Sequence, residues 1–221
     1  MLQYNFNYPH RRKNILTGEW VLVSPHRTNR PWQGEVSGAG NQSRPEYDPD
    51  CYLCPGNKRA NGEFNPQYKN TFVFTNDFPA LLENTENFTL NKKDLLVAKS
   101  ESGICRVVNF SPRHDLTLAE MEEDAIEKVI ETWRNEFKVL SSNPDINHVQ
   151  IFENKGSMMG NSNPHPHCQI WSQKSIPMGM TKELKQFKKY FKKCKRSILQ
   201  DYIKLELKLF LLLTKSKKRL N

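Results

Sequence analysis

The chain has 221 residues, 37% of them apolar, which is enough for one good-sized domain or one domain plus part of another. Its longest apolar run, 209–213, has five residues, far fewer than the ~20 that a membrane helix needs. The N-terminal ten residues lack a basic segment followed by an apolar one, so no secretory signal is visible. We therefore expect a cytoplasmic protein with no membrane as a partner.

The net charge of +9 is concentrated at the C-terminal end. Residues from 181 onward include 14 basic and three acidic side chains, whereas the preceding residues include 19 basic and 21 acidic ones. Lysine-rich segments are usually just solvated, and this one has no interleaved aromatic residues for base stacking. The nearly neutral body argues against nucleic acid as a partner.

Short strands are predicted in the first half of the chain, where β-branched and aromatic residues follow turn residues. The turn Thr17-Gly18 precedes a strand at 19–23, and further strands are predicted at 71–75 and 103–110. Between the first two lie a basic loop and a polar, irregular stretch.

Two of the five cysteines, Cys51 and Cys54, have C-x-x-C spacing. In an intracellular chain this spacing indicates a metal or redox site before a disulfide. A redox site needs a helix that begins at the first cysteine, because the helix dipole lowers the thiol pKa. Pro49 precedes the pair and Pro55-Gly56-Asn57 follows it, which predicts a tight turn instead. A metal site is favoured.

One helix is predicted from apolar residues that recur at three- and four-residue intervals between Leu118 and Leu140. Thr117 and Glu120 fit a capping box at its start, and Asn143-Pro144 ends it. Two strands, 148–153 and 168–172, follow. Strands in succession with one long helix packed on them predict an α+β fold with an antiparallel sheet.

The loop before the last strand and the strand itself are the segment most indicative of chemistry. Glycine, serine and asparagine residues at 154–163 offer free backbone N–H groups for close approach to phosphate. His165, His167 and Gln169 are spaced two apart, so in an extended chain their side chains share one face. Neutral imidazole can attack phosphorus without first losing a proton. A metal-binding or merely packed histidine pair is the alternative.

The segment 165–171, His-Pro-His-Cys-Gln-Ile-Trp, resembles the active-site strand of the galactose-1-phosphate uridylyltransferases, a branch of the histidine-triad superfamily. Further blocks resemble the same family in the same order: 10–12, 16–27, 30–32, 48–54, 72–78 and 152–156. The resemblance implies a histidine-triad-like antiparallel sheet with packed helices, the first of the family's two related halves. It implies a domain at 1–176 and a basic, partly helical segment at 177–221.

The resemblance also implies a two-step transfer of UMP. His167 would attack the α-phosphorus of UDP-glucose and hold UMP as a phosphoramidate, and galactose 1-phosphate would then collect the UMP. Nucleotide hydrolases of the superfamily carry a third histidine where Gln169 stands, and a neutral amide can position a phosphoryl group without activating water. His167 and Gln169 are the implied catalytic residues.

The family pattern implies ligands as well. Zinc would be held by Cys51, Cys54, His114 and His165, a plausible tetrahedral structural site. The residues implied to contact the UDP-sugar are Arg27, Arg30, Asn76, Asp77, Asn154, Gly160, Asn161, Ser162 and Gln169. Arginines suit a diphosphate, and Asp77 could accept hydrogen bonds from ribose hydroxyls.

The C-terminal region departs from the family. Glu183 matches a carboxylate ligand of a second metal, iron in full-length relatives, but the histidines that complete that site belong to the family's second half. That half also completes the active site of the partner in the family's homodimer. Residues 184–199 predict an amphipathic basic helix, and the sequence after about Lys208 resembles nothing in the family.

Three alternatives stay open from the sequence. The chain could be another histidine-triad nucleotidyl enzyme, a dinucleoside-polyphosphate phosphorylase or an adenylyltransferase. It could be a zinc-stabilised nucleotide-binding fragment without turnover. A nucleic-acid-binding zinc protein is the weakest alternative, because only the C-terminal segment is basic.

Overall fold

The computed structural model describes residues 9–24, 44–156, 159–161 and 163–209. Those residues form eight strands and three α-helices, namely β1 (His10–Lys13), β2 (Trp20–Val23), β3 (Phe72–Thr75), β4 (Thr89–Lys92), β5 (Leu96–Lys99), β6 (Gly103–Asn109), α1 (Glu123–Ser141), β7 (His148–Phe152), β8 (His167–Gln173), α2 (Met178–Cys194) and α3 (Ile198–Leu209). The chain divides into two compact units, Gly38–Ile176 and the combination of Met1–Ser37 with Pro177–Asn221.

The unit Gly38–Ile176 is built on a four-stranded antiparallel sheet in the order β3-β6-β8-β7. The register aligns Asn109 of β6 with His167 at the start of β8, and Phe152 of β7 with Gln169. An antiparallel sheet with a packed helix confirms the predicted α+β fold. The predicted strands at 71–75, 103–110, 148–153 and 168–172 are each present, and no end is shifted by more than one residue.

The pleat of β8 places core side chains on one face of the sheet and the predicted site residues His167 and Gln169 on the other. Cys168, Ile170 and Ser172 are all but inaccessible, whereas the alternate residues from 167 to 173 are half-buried. Cys168 and Ile170 belong to the hydrophobic core with Val108 of β6 and Val129 of α1. Because side chains alternate along a strand, α1 covers one face of the sheet and the histidine–glutamine series projects from the other.

The predicted helix begins later than its periodicity indicates. Thr117 and Glu120 form the predicted capping box, but it closes a short 3₁₀ turn, Leu118–Glu120. The backbone at Met121 is extended, and its side chain is buried in the core. This apolar anchor interrupts the helical path, so α1 starts at Glu123. Its end at Ser141 lies just before the predicted stop.

The hairpin of β4 and β5 was not predicted. Its four-residue strands pair antiparallel and are exposed along their length. The turn has two non-glycine residues with positive φ, Lys93 and Asp94, a conformation usually supplied by Asn-Gly or Asp-Gly. Hydrogen bonds between Asn91 and Asp94, 2.7 and 2.9 Å long, stabilise the turn.

In the unit Met1–Ser37 with Pro177–Asn221, the described elements are the hairpin β1–β2 and the helices α2 and α3. The helix predicted at 184–199 is divided at Lys195, which has a φ of 55° and donates its N–H to Phe191. The Asp201 carboxylate joins α2 to α3 by accepting hydrogen bonds of 2.8 Å from Tyr190 and Arg196. Among the described residues, no helix has the length and apolar character to cross a membrane.

We predict that Gly103→Ala destabilises the sheet, because a Cβ at Gly103 would overlap the Ser172 carbonyl oxygen on the neighbouring strand. Forcing extra volume into a packed site costs about 1–3 kcal/mol. Urea unfolding followed by circular dichroism measures the loss. Gly179→Ala is the matched control, because its Cβ would meet nothing within 4 Å and alanine favours the helix there. Equal stability of the two variants would contradict the close approach.

Candidate functional site

Four metal-binding side chains that are distant in sequence meet in the unit Gly38–Ile176. Cys51, Cys54, His114 and His165 are all buried, and their ligand atoms lie within 4.8 Å of one another. The Sγ atom of Cys54 is 3.7 Å from Nδ1 of His114 and 3.5 Å from Nδ1 of His165. Zinc bonds of ~2.3 Å to sulfur and ~2.1 Å to nitrogen at a tetrahedral angle separate two such atoms by ~3.6 Å. The residues therefore fit a tetrahedral ion.

The outer nitrogen of His165 has a hydrogen-bond partner that favours metal binding through Nδ1, and the outer nitrogen of His114 lies near a carboxylate. Nε2 of His165 lies 2.9 Å from the Ser111 carbonyl oxygen, to which it can only donate. Nε2 of His114 lies 3.9 Å from a carboxylate oxygen of Asp48. An outer hydrogen bond such as that of His165 fixes the imidazole tautomer and ring orientation at metal sites. The His165 ring thus turns an acceptor nitrogen toward Cys54.

The cysteine side of the cluster resembles a metal-binding turn. The backbone N–H of Leu53 donates to Sγ of Cys51, 3.4 Å away, and the Asn163 side chain also contacts that sulfur. Burial raises the pKa of the Cys54 thiol to about 12 and lowers the pKa of His165 to about 4. Neutral imidazoles suit metal ligation, and a bound cation would favour the thiolate.

A hydrogen-bond network in the interior connects residues 51–54, the cysteine turn, to the sheet. The Tyr68 hydroxyl donates to the Leu53 carbonyl at 2.6 Å and lies 3.1 Å from Nε2 of His165. Asn109 donates to the same carbonyl at 3.0 Å and to the tyrosine oxygen at 3.2 Å. Since Asn109 is aligned with His167 across the sheet, the cluster and the first residue of β8 share one rigid support.

The backbone carbonyl of His165 orients the His167 ring. Its Nδ1 lies 2.7 Å from the His165 carbonyl oxygen, and a carbonyl can only accept, so Nδ1 carries the proton. The unprotonated nitrogen is then Nε2. Burial lowers the pKa of His167, which favours the neutral ring. This tautomer has one nucleophilic lone pair.

A small cleft of about 50 Å³ opens beside His167. Its lining residues are Asn154, Gly160, Asn161, His167, Cys168 and Gln169. The φ of Gly160 is 80°, and a Cβ added there would meet nothing within 4 Å. Glycine both permits this backbone conformation and leaves room for a ligand. The predicted residues Asn154, Gly160, Asn161, His167 and Gln169 are therefore brought together.

Gln169 has an aromatic partner on its own strand. The indole Nε1–H of Trp171 donates to Oε1 of Gln169 at 3.0 Å. The Trp171 ring in turn meets the Phe152 ring edge to face, with centroids 5.3 Å apart at 84°. The Gln169 side chain, next to His167 on this face of the strand, thus has a fixed neighbour.

Two predicted substrate residues do not line the described cleft. The side chain of Asn76 accepts a hydrogen bond from the Phe78 N–H, as in a turn. Asp77 lies 3.2 Å from the Arg59 guanidinium, and both side chains are less than a tenth exposed. Arg59 also stacks over the Phe74 ring at 4.5 Å. The sequence reasoning missed Arg59, because it lies in a polar loop where a buried arginine has no sequence signature.

The remaining predicted residues lie elsewhere. Arg27, Arg30 and Ser162 lie outside the described residues. Glu183 is half-buried on α2, and the part of the chain that the structure describes contains no metal-ligand group that includes it. A larger cavity of about 410 Å³ lies in the unit Met1–Ser37 with Pro177–Asn221, lined by α2, α3 and residues 13 and 15. It contains none of the predicted site residues.

The fold resembles solved structures of nucleotide-sugar enzymes. An ADP-glucose phosphorylase from Arabidopsis thaliana with bound ADP-glucose superposes with a TM-score of 0.59 at 24% identity, covering 85% of this chain and 56% of that one. A uridylyltransferase superposes with the same TM-score and identity, covering 88% of this chain and 55% of the other. At this identity the likeness concerns the fold.

Sequence comparison is more specific. The galactose-1-phosphate uridylyltransferase of Neurospora crassa is 44% identical over 90% of this chain, that of Saccharomyces cerevisiae 44% over 92%, and that of Haemophilus influenzae 46% over 91%. The matches cover 61%, 59% and 57% of those relatives, so the chain spans about three-fifths of their length. The family model for the galactose-1-phosphate uridyl transferase N-terminal domain matches residues 2–177. The chain belongs to this family.

Proposed function

We propose that the chain transfers UMP from UDP-glucose to galactose 1-phosphate through a covalent intermediate on His167. The observation that carries this proposal is the tautomer of His167. Its Nδ1–H donates to the His165 carbonyl, so Nε2 keeps a free lone pair, and His167 lines a polar cleft. Family membership and the names of the relatives support the uridylyl group and the two sugar phosphates.

In the first half-reaction, the Nε2 lone pair of His167 attacks the α-phosphorus of UDP-glucose. A nitrogen–phosphorus bond forms, the bond from the α-phosphorus to the bridging oxygen breaks, and glucose 1-phosphate leaves with that electron pair. The proton stays on Nδ1 of His167, and the His165 carbonyl that accepts its hydrogen bond stabilises the positive charge that develops on the ring. No proton has to move at this step.

In the second half-reaction, a phosphate oxygen of galactose 1-phosphate attacks the same phosphorus. The nitrogen–phosphorus bond breaks, the electron pair returns to Nε2, and UDP-galactose leaves. The enzyme is restored with its original tautomer. Neighbouring backbone N–H groups, Asn154, Asn161 and Gln169 would hold the phosphoryl oxygens, as would Arg27, Arg30 and Ser162. Asn76 and Asp77 would hold the nucleoside.

For the metal centre we propose zinc with a structural role. Two sulfur and two imidazole ligands are a preferred zinc set, and four protein ligands leave no position for substrate. His165 would bind the ion and also position His167 through its carbonyl. Zinc would thus order the start of the catalytic strand without entering the reaction.

We predict that UDP-glucose adds a uridylyl mass to the native chain and that His167→Ala abolishes the gain. Mass spectrometry at neutral pH measures the adduct, because acid cleaves a phosphorus–nitrogen bond. His148→Gln is the matched control, since His148 lies at the opposite end of the sheet, across from Gln173. An adduct that persists in His167→Ala would contradict the assignment of the nucleophile.

The same experiment separates the alternatives. Incubation with ADP-glucose in place of UDP-glucose tests an adenylyl-transferring relative. Tight binding of UDP-glucose to the folded wild-type chain without any mass gain would indicate a nucleotide-binding fragment, and the transferase proposal would be wrong for this polypeptide.

We predict about one zinc per chain by elemental analysis, and its loss in Cys54→Ser. Loss of the metal should lower the melting temperature by several degrees, because the ion joins three segments and ligand binding to the native state stabilises it. Cys194→Ser is the control, since that thiol lies on α2, outside the cluster. Unchanged zinc content in Cys54→Ser would count against the site.

A further inference from the structure

The chemistry of Gln169 depends on which end of its amide faces the cleft. The carbonyl end accepts hydrogen bonds and can hold or orient a water molecule, whereas the NH₂ end offers only two donors. Donors suit an anionic phosphoryl oxygen. An acceptor in the same place would favour attack by water on a phosphorylated histidine.

The structure assigns the orientation of this amide through Trp171. An indole N–H is a donor and never an acceptor, so the Gln169 atom 3.0 Å from it is the oxygen. This conclusion does not depend on how the oxygen and nitrogen of the amide are distinguished. The oxygen is directed along the strand toward residue 171, away from His167, which lies two residues in the other direction on the same face.

Trp171 is itself held in place. Its ring meets the Phe152 ring edge to face, and Phe152 is aligned with Gln169 across β7 and β8. The three side chains are therefore neighbours on one face of the sheet, with Trp171 in contact with the other two. The indole cannot rotate away from the amide without losing this edge-to-face contact.

We propose that Trp171 is a positioning residue that locks the Gln169 amide with its two N–H donors toward the phosphoryl group on His167. The lock would favour transfer of UMP to a sugar phosphate over its loss to water. This inference rests on the proposed transferase function. It adds a physical reason why the UMP group would be transferred to a sugar phosphate rather than to water.

The first test measures the hydrogen bond without catalysis. In ¹H–¹⁵N spectra of the wild-type chain, the Trp171 indole proton should exchange slowly with water. Gln169→Met keeps the length of the side chain and removes the acceptor, so the exchange rate should rise at least tenfold. An unchanged exchange rate would contradict the proposal that the Trp171 hydrogen bond fixes the Gln169 amide.

The second test measures the reaction. Trp171→Phe keeps an aromatic ring beside Phe152 and removes the indole N–H. The uridylyl adduct should then form about fivefold more slowly at saturating UDP-glucose, the effect of one lost neutral hydrogen bond. Its hydrolysis in the absence of galactose 1-phosphate should be faster by a similar factor, while the UDP-glucose concentration for half-maximal rate changes little. Equal adduct lifetimes would contradict the proposal.

Trp133→Phe is the matched control. The Trp133 indole also donates to a residue of β8, the Cys168 sulfur at 3.2 Å, but on the face covered by α1. Its loss should lower stability and leave the adduct lifetime unchanged; a shortened lifetime would overturn the specific role of Trp171. If the wild-type chain forms no adduct, the transferase proposal fails, and the exchange test still decides whether the amide is locked.

Discussion

The candidate site depends on His165, which takes part both in the cluster of metal-binding side chains and in the positioning of His167. The His165 side chain is one of four clustered metal-binding groups, and its backbone carbonyl accepts the Nδ1 proton of His167. A displacement of the cysteine turn, residues 51–54, would therefore move His165 and, two residues later, the proposed nucleophile His167. The network of Tyr68 and Asn109 opposes such a displacement, since it connects that turn to the sheet in the interior of the unit.

The regular alternation of β8 organises the rest. On one side, Cys168 and Ile170 complete the core beneath α1. On the other, His167, Gln169 and Trp171 form a series in which each side chain is constrained by a neighbour. The order of the proposed roles along the strand, from nucleophile to phosphate ligand to positioning group, follows from the two-residue spacing of side chains on one face of an extended strand.

Patterns that repeat could be predicted from the sequence, and contacts between distant segments could not. Apolar periodicity located α1, but the insertion of Met121 into the core, which delays its start, is a tertiary effect. The turn at Lys93 and Asp94 and the break at Lys195 use positive φ without glycine, so the usual residue types gave no indication. Burial of Asp77 beside Arg59 likewise depends on packing that no local pattern records.

The alternation within β8 also bears on how this strand can change over evolutionary time. Even-numbered positions from 168 to 172 are constrained by volume, because they are enclosed by other side chains. Odd-numbered positions are constrained by hydrogen-bond chemistry, and a replacement of similar size would leave the fold intact. Substitutions at even-numbered positions would thus reduce the amount of folded protein. Substitutions at odd-numbered positions would instead leave a folded protein that lacks the proposed activity.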